Sequence, residues 1–565
     1  MKKPELQKGL IEASIPDVSF DRSAKKIVMV APRAIALETQ IRKTIPPFGL
    51  LTVGATIEER GYDLLCIDSV LEGFEHVVPD SHPGFIKYGL DEHDVAKRIQ
   101  EYGADFVGIS VLFSGMAECG YDIAKAIKKI MPDIPVCIGG IHTTAVGKQE
   151  LFAEQPDLDF VISGEGDITF PDLLDEYFGE KNLENVKGLT WRNDNGDVIE
   201  NPRQRLIEQL DVLPFPCWHK FDMEKYYDIN IPFSPFVSSP RVGTIITSRG
   251  CPANCNFCFI SWTAAKDRGD NKPYRTNSAD YIVKMIEYMV DAYGIKELQI
   301  LDDSFTVDYH RVTEIFERIK PLGLRIEFPN GIRADLPRKV DRRRKLFNLM
   351  REAGVWQVCF SPEHGNQDYL RDYIDKGMDL EQVKISCDIA HEMGFLVHAN
   401  FIMGFPGETK ELRKDTEDFA RSLDADSFSF SFATPFPGTA LYDEVKQKNL
   451  FTKDYNKNRV LFDKVNIIPH DISIPDLYKH VEFLNRDLNE KAQGKRPELT
   501  AKKYALIDAR ENKIDTNDRK YHHTNGEVLP TTANYFKDGS TLHSRPKSKE
   551  EAVEEQFNRV YKSDD

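Results

Sequence analysis

The sequence predicts an α/β protein built as two successive β/α units: an N-terminal doubly wound parallel sheet, then a partial (β/α)6 barrel. A mostly helical and irregular C-terminal extension follows. Three observations predict this. From residue 25 to about 180, short β-branched and aliphatic runs alternate with amphipathic stretches of helical length. The alternation restarts near 241 and passes through six strand–helix cycles by about 445. Between them, 181–240 carries Pro214, Pro216, Pro232, Pro235 and Pro240, a spacing that resists regular structure and fits an interdomain crossing. Apolar strands alternating with helices imply parallel sheets covered on both faces, with ligands at the carboxyl ends of the strands.

Residues 1–24 read as a loosely attached polar lead-in. The first unit opens with I-V-M-V-A after Lys25, then a helix ended by Gly61, then Y-D-L-L-C-I-D. Strands at 106–110, 136–142 and from Phe160, with a helix over 116–131, complete it. Three strand ends carry small residues: Ser110-Val111-Leu112, Gly139-Gly140 and Gly164-Glu165-Gly166. Their backbone can approach a large flat ligand closely, although strand-to-loop turns use glycine anyway. The connector holds G-L-T-W-R-N-D-N-G-D-V-I, a hairpin turning at 193–196.

The second unit begins with a buried strand at 242–247 and the loop S-R-G-C-P-A-N-C-N-F-C-F, in which Cys251, Cys255 and Cys258 form C-x3-C-x2-C. Three thiolates on one short loop can hold three irons of a 4Fe-4S cluster and leave the fourth iron open. A structural zinc site is the competing reading, but zinc takes four ligands and no second pair follows. Buried core cysteines are another, against which Pro252, Asn254 and Asn256 describe an exposed loop. Helices are then expected over 278–293, 310–319, 341–353 and 380–393. The basic run 338–345 reads as a solvated helix face.

The triplet, with Phe257 before its last cysteine, resembles the radical S-adenosylmethionine (SAM) superfamily. That resemblance implies a cluster whose open iron chelates SAM and cleaves it to a deoxyadenosyl radical. It also assigns the later strand ends. Asp302 and Asp303 would bind the SAM amino group, as a carboxylate suits an ammonium; an Asp-Asp helix cap is the plain alternative. Arg333 would clamp a carboxylate, or make a structural ion pair. Ser361 and Glu363 fall where ribose hydroxyls or the methionine carboxylate bind. N-F-I-M-G-F-P-G-E at 400–408 is similar to G-x-I-x-G-x-P-G-E, which lies along adenine and includes Met403 and Gly404; Asn400 replaces its first glycine. T-P-F-P-G-T at 434–439 recurs in members that carry a cobalamin domain.

The first unit is similar to a cobalamin-binding domain over about 25–175, with S-x-L and G-G on successive strand ends. The implied contacts are Pro47, Leu50, Ser110, Leu112, Gly139, Gly140, His142, Gly164, Glu165 and Gly166. D-x-H-x-x-G is absent after the first strand, where A-P-R-A-I-A stands at 31–36. Cobalamin-dependent radical SAM enzymes commonly lack that histidine, and His142 suits a loop hydrogen bond better than cobalt ligation.

The pairing implies three cofactors, the 4Fe-4S cluster, SAM and cobalamin, and methylation of an unactivated carbon or phosphinate phosphorus of a small molecule, with methylcobalamin recharged by a second SAM. Cyclisation or rearrangement without methyl transfer is the alternative; a non-catalytic cobalamin or redox sensor and a tRNA-modifying enzyme are further ones. A formal charge of −17 over 565 residues argues against a nucleic-acid partner. No apolar stretch reaches 18 residues, which argues against a membrane span, and M-K-K-P-E-L-Q-K lacks the apolar core of a signal peptide, so a cytoplasmic address is expected. An electron donor such as flavodoxin or ferredoxin is implied. Nine cysteines do not read as a disulfide framework; Cys66, Cys119, Cys137, Cys359 and Cys387 read as buried thiols. The polar chain from 501 reads as an extended arm.

Overall fold

The computed structural model describes residues 15–38, 42–234, 237, 239–260 and 274–493. The expected arm from 501 lies outside them. In the N-terminal unit the five parallel strands Lys26–Ala31, Asp63–Asp68, Phe106–Ser110, Val136–Gly139 and Phe160–Ile162 stand in the spatial order second, first, third, fourth, fifth. The order reverses between the first and third strands, which creates a crevice beyond their carboxyl ends. Helices Phe48–Glu59 and Gly166–Phe178 pack on one face through Leu50, Ile57, Leu173 and Leu174; Glu92–Tyr102 and Ala117–Ile130 cover the other through Ile99, Ile123 and Ile127.

The hairpin expected in the connector belongs to this sheet. Leu189–Arg192 pairs antiparallel with Phe160–Ile162, and Val198–Glu200 extends the sheet to seven strands. The added hairpin occupies the edge that the fifth strand would otherwise expose. The lead-in is also tied down at its end, because Phe20 packs on Tyr62 and Phe178 and Arg22 pairs with Asp175 at 2.7 Å.

The second unit has six parallel strands: Val242–Ile245, Glu297–Ile300, Arg325–Glu327, Gln357–Glu363, Leu396–Met403 and Ser427–Phe432. They make two three-stranded sheets, which an isolated parallel bridge, Ile326 to Val355, joins side by side. The intervening helices start close to where the sequence places them; Ser278, for instance, caps Ala279–Tyr293 by accepting from the Tyr281 N–H. The basic run corrects one expectation. Arg343 is fully buried and donates to Ser386 Oγ, the Gln382 side chain and the Pro337 carbonyl.

Past the sixth strand, helix Ile474–Gln493 closes the sheet edge by an arrangement that periodicity does not reveal. Asn485 and Asn489, one turn apart, each accept from a strand N–H and donate to the carbonyl of the same residue, at Phe430 and Phe428 respectively. Two side-chain amides thus stand in for a seventh strand. No helix among the described residues is long and apolar enough to cross a membrane.

Candidate active site

The cysteine loop is held from several sides. Just past the first barrel strand stands Thr247, whose N–H and hydroxyl donate to Asp302 at 2.5 and 2.6 Å, with Ser248 Oγ adding a third bond at 2.5 Å. Gly250, at φ +88°, turns the chain into the loop. Asn256 donates through its N–H to the Ile374 carbonyl and through its amide to that of Tyr373, while its own carbonyl accepts from Leu441. Phe257 packs on Phe405, 6.0 Å between centroids, which links the loop to the G-F-P-G-E segment.

Cys255 is buried and Cys251 and Cys258 are half-buried, all three as thiols. Burial pushes the Cys255 thiol up to about 12, against the pull of the nearby Lys376 cation. Arg333, whose burial disfavours its charge, is still held more basic by Asp335 and by Cys251 and Cys255. Three thiols with two enclosed cations beside them make a donor set that fits an iron–sulfur cluster, whose thiolate charge needs offsetting. Among the described residues, no three His, Cys, Asp or Glu side chains are grouped as the ligands of a single metal ion.

The remaining barrel-mouth residues divide into anchors and open groups. Asp302 is buried with both oxygens taken by Thr247 and Ser248, so it fixes the cysteine loop and is not presented to the mouth. Asp303 is exposed there and accepts from the Gly250 N–H at 3.3 Å. Part of its surface meets solvent, yet the protein packed around it removes enough water, with Asp302 adding like-charge repulsion, to push its carboxyl up to about 6. Arg333 is clamped on Asp335 and also donates to the carbonyls of Lys376 and Gly377, which is the structural ion pair. Glu363, in the left-handed region at φ 71°, is ion-paired to Lys376 at 2.6 Å. Ser361 is half-buried and accepts from Asn400. Met403 is fully buried in the core, whereas Gly404, at φ +85°, donates its N–H to Glu408 at 2.6 Å. Glu408 is itself buried against His364 at 3.3 Å. That carboxylate, which sequence reasoning passed over, holds the Gly404–Gly407 turn.

At the N-terminal strand ends, space decides. A Cβ built on Gly164 meets nothing within 4 Å, and one on Gly139 comes no nearer than 3.7 Å to Ile162. Leu112 and its neighbour Phe113 are each 46% exposed. Open backbone beside exposed apolar side chains fits a large, flat, partly apolar ligand. Pro47 caps the first helix and Gly49 faces the Ser110 hydroxyl. Four expected contacts fall elsewhere. Leu50 is fully buried in the core. Gly140, at φ +117°, is required because a Cβ would overlap the Val111 carbonyl. His142 is fully buried between Tyr121 (2.7 Å) and Ser114 (2.9 Å); burial and Lys148 push it down to about 3, so both ring nitrogens are occupied and the ring is neutral. Glu165 joins the two units.

This joint is the feature that the separate motifs could not show. Arg249, two residues before Cys251, lies bidentate on Asp167 at 2.8 and 3.0 Å and reaches Glu165 at 3.2 Å; Arg275 also pairs with Glu165, at 2.9 Å. Burial alone would raise Asp167, but the Arg249 guanidinium outweighs it and holds the carboxyl below the usual range. The G-E-G-D and S-R-G-C strings carry the partners, yet only the fold makes them neighbours. A second seam lies at 456–460: Asn456 and Arg459 meet Glu118, Arg459 pairs with Asp80, and Lys457 reaches Glu154 at 2.9 Å.

Fold and site together define a two-unit radical SAM protein in which a cobalamin-binding sheet is bolted to the cysteine loop. Comparison with known proteins agrees. The radical SAM superfamily model matches residues 245–420 and the B12 binding domain model matches 36–174. Cytidylyl-2-hydroxyethylphosphonate methyltransferase of Streptomyces wedmorensis is 31% identical over 503 residues, 83% of this chain and 90% of its own. The anaerobic magnesium-protoporphyrin IX monomethyl ester cyclase of Rubrivivax gelatinosus is 26% identical, over 82% of this chain and 76% of its own. Among solved structures, the radical SAM methyltransferase TsrM from Kitasatospora setae shares the fold at TM-score 0.59 and 16% identity, covering 95% of this chain and 96% of that one. OxsB, a cobalamin-dependent SAM radical enzyme, does so at 0.62 and 17%, covering 86% and 71%. The chain belongs to the cobalamin-dependent radical SAM enzymes, and its cofactors are a 4Fe-4S cluster, SAM and cobalamin.

Proposed function

We propose that this enzyme methylates an unactivated carbon, or a phosphinate phosphorus, of a small molecule held between the barrel mouth and the N-terminal strand ends. The observation that carries this reading is the Arg249 joint. It ties the loop of Cys251 to the Gly164–Gly166 edge through a buried ion pair, so a substrate positioned once can face both cofactors. When bound, the cluster and SAM supply a hydrogen-abstracting radical and cobalamin supplies the methyl group.

Cys251, Cys255 and Cys258 hold the cluster, and Lys376 and Arg333 balance its charge. Asp303 receives the SAM ammonium, Ser361 offers a hydroxyl to the ribose, and the turn fixed by Glu408 gives its backbone to adenine. Ser110, Leu112, Gly139 and Gly164 line the cobalamin. The name of the Streptomyces relative supports a polar, phosphorus-bearing substrate. Three cysteines given to the cluster and the other six left outside any disulfide suit a reducing cytoplasm, with flavodoxin or ferredoxin as electron donor.

The test is anaerobic. Reconstituted holoenzyme is given SAM, reductant and, in turn, cytidylyl-2-hydroxyethylphosphonate and an aqueous small-molecule extract of the source organism. Deoxyadenosine and S-adenosylhomocysteine rising together with a product one methyl heavier is the expected result. Deoxyadenosine with no S-adenosylhomocysteine would replace methyl transfer by cyclisation or rearrangement.

A further inference from the structure

The last two barrel strands carry a feature that the cofactor assignments leave unused. Strand Ser427–Phe432 reads S-F-S-F-S-F, with Phe428, Phe430 and Phe432 buried and Ser427, Ser429 and Ser431 half-buried. On the neighbouring strand the same alternation buries Ala399, Phe401 and Met403 and leaves His398, Asn400 and Ile402 half-buried. The parallel register sets His398 beside Ser427, Asn400 beside Ser429 and Ile402 beside Ser431. The phenylalanine side packs into the core, so the polar side faces the barrel interior. Residues on this inner wall keep part of their surface accessible.

The wall is joined by hydrogen bonds. His398 meets Ser427 Oγ at 2.8 Å and Asn400 Oδ1 at 3.0 Å, and Asn400 Nδ2 reaches Ser361 Oγ at 3.2 Å. Asn400 is also the departure from the family's glycine, and its side chain extends this wall. Ser429 Oγ has no protein partner among the described residues, although it stands in the middle of the row.

We infer that this inner wall, His398, Asn400, Ser427, Ser429 and Ser431, is the substrate-binding surface, and that it takes a hydroxyl-rich group such as a sugar, ribose or polyol. The inference rests on the methyltransferase reading and adds its substrate class. Hydroxyl, amide and imidazole groups both donate and accept, as substrate hydroxyls do. A hydrocarbon or porphyrin face pressed on this wall would leave its polar groups unpaired. A phosphate or carboxylate would call for cations, and none of these five side chains is a lysine or arginine.

The experiment uses the full-length holoenzyme with its cluster, cobalamin and SAM, unreduced, and reads binding by saturation-transfer NMR. The hydroxylated probes are cytidine monophosphate, UDP-glucose and methyl glucoside; the hydroxyl-free probes are squalene and protoporphyrin dimethyl ester, in detergent. At least one hydroxylated probe should bind. Ser429→Ala and Asn400→Gly should each weaken it about tenfold, the worth of one well-placed hydrogen bond, with iron content and circular dichroism unchanged. The inference is overturned if only hydroxyl-free probes bind, if no hydroxylated probe binds, or if the hydroxylated probe binds both variants as it binds the parent. Release of S-adenosylhomocysteine during turnover is scored separately, so the methyl-transfer reading stands or falls on its own readout.

Discussion

The two cofactor-facing edges are built on opposite principles. At the N-terminal edge the useful positions are empty: Gly164 and Gly139 leave room where a side chain would stand, and the apolar Leu112 and Phe113 are exposed beside them. At the barrel mouth most polar groups are already engaged: Asp302 with Thr247 and Ser248, Arg333 with Asp335, Glu363 with Lys376, Glu408 with Gly404. One edge recognises a ligand by backbone and shape, the other by a few groups that a paired framework holds still. The sharpest break of this comparison is Cys255→Ala. It should abolish deoxyadenosine formation and lower iron content while cobalt content stays at the parent level. Cobalt lost in parallel with iron would mean that the two edges are not separately built.

Arg249→Met attacks what joins them. Removing the guanidinium leaves Asp167 buried without its counter-ion, and breaking such a pair costs about 3–5 kcal/mol. The urea midpoint should fall accordingly, with deoxyadenosine formed without matching methyl transfer. Full coupling in a destabilised variant would assign the joint to stability alone. The glycines give a smaller, cleaner contrast. Gly139→Ala should weaken cobalamin about tenfold at unchanged melting temperature, because the added Cβ makes no contact closer than 3.7 Å. Gly140→Ala should lower the melting temperature first, because it strikes the Val111 carbonyl and strains a φ of +117°.

Much of this could be read from the sequence where one residue type answers one physical need. Alternating apolar runs gave both units, and the cysteine spacing gave the cluster loop, since neither depends on distant partners. The failures share a different cause. Asp302 and Asp303 are adjacent and identical, yet one is an anchor and one is open; what separates them is Thr247, 55 residues away. Glu165 looked like part of a glycine-rich strand end and became a joint because Arg249 and Arg275 reach it from the other unit. Leu50 and His142 sit beside the expected ligand edge but turn inward, and no local pattern reports that.

The Asp302–Asp303 contrast also gives the smallest expected effect, one of pH. The Asp303 carboxyl, though open to solvent at the mouth, is pushed up to about 6 because the protein packed around it strips away water that would stabilise its charge and Asp302 adds like-charge repulsion. Only the carboxylate can hold an ammonium, so SAM affinity should be flat above pH 7 and fall about tenfold per pH unit below 6. Stability should move the opposite way. A carboxyl whose folded value lies above its unfolded one favours folding fully below about pH 4, and that contribution is lost as pH rises through 6. Asp303→Asn should remove both slopes, while Asp302→Asn, by removing the like charge beside Asp303, should move the pH midpoint of SAM binding downward and lower the cluster content of the loop it anchors. Equilibrium dialysis of labelled SAM across this range, beside thermal melts in the same buffers, checks the pair. A SAM affinity still sloping through pH 6 in Asp303→Asn would move the ammonium site to another residue of the mouth.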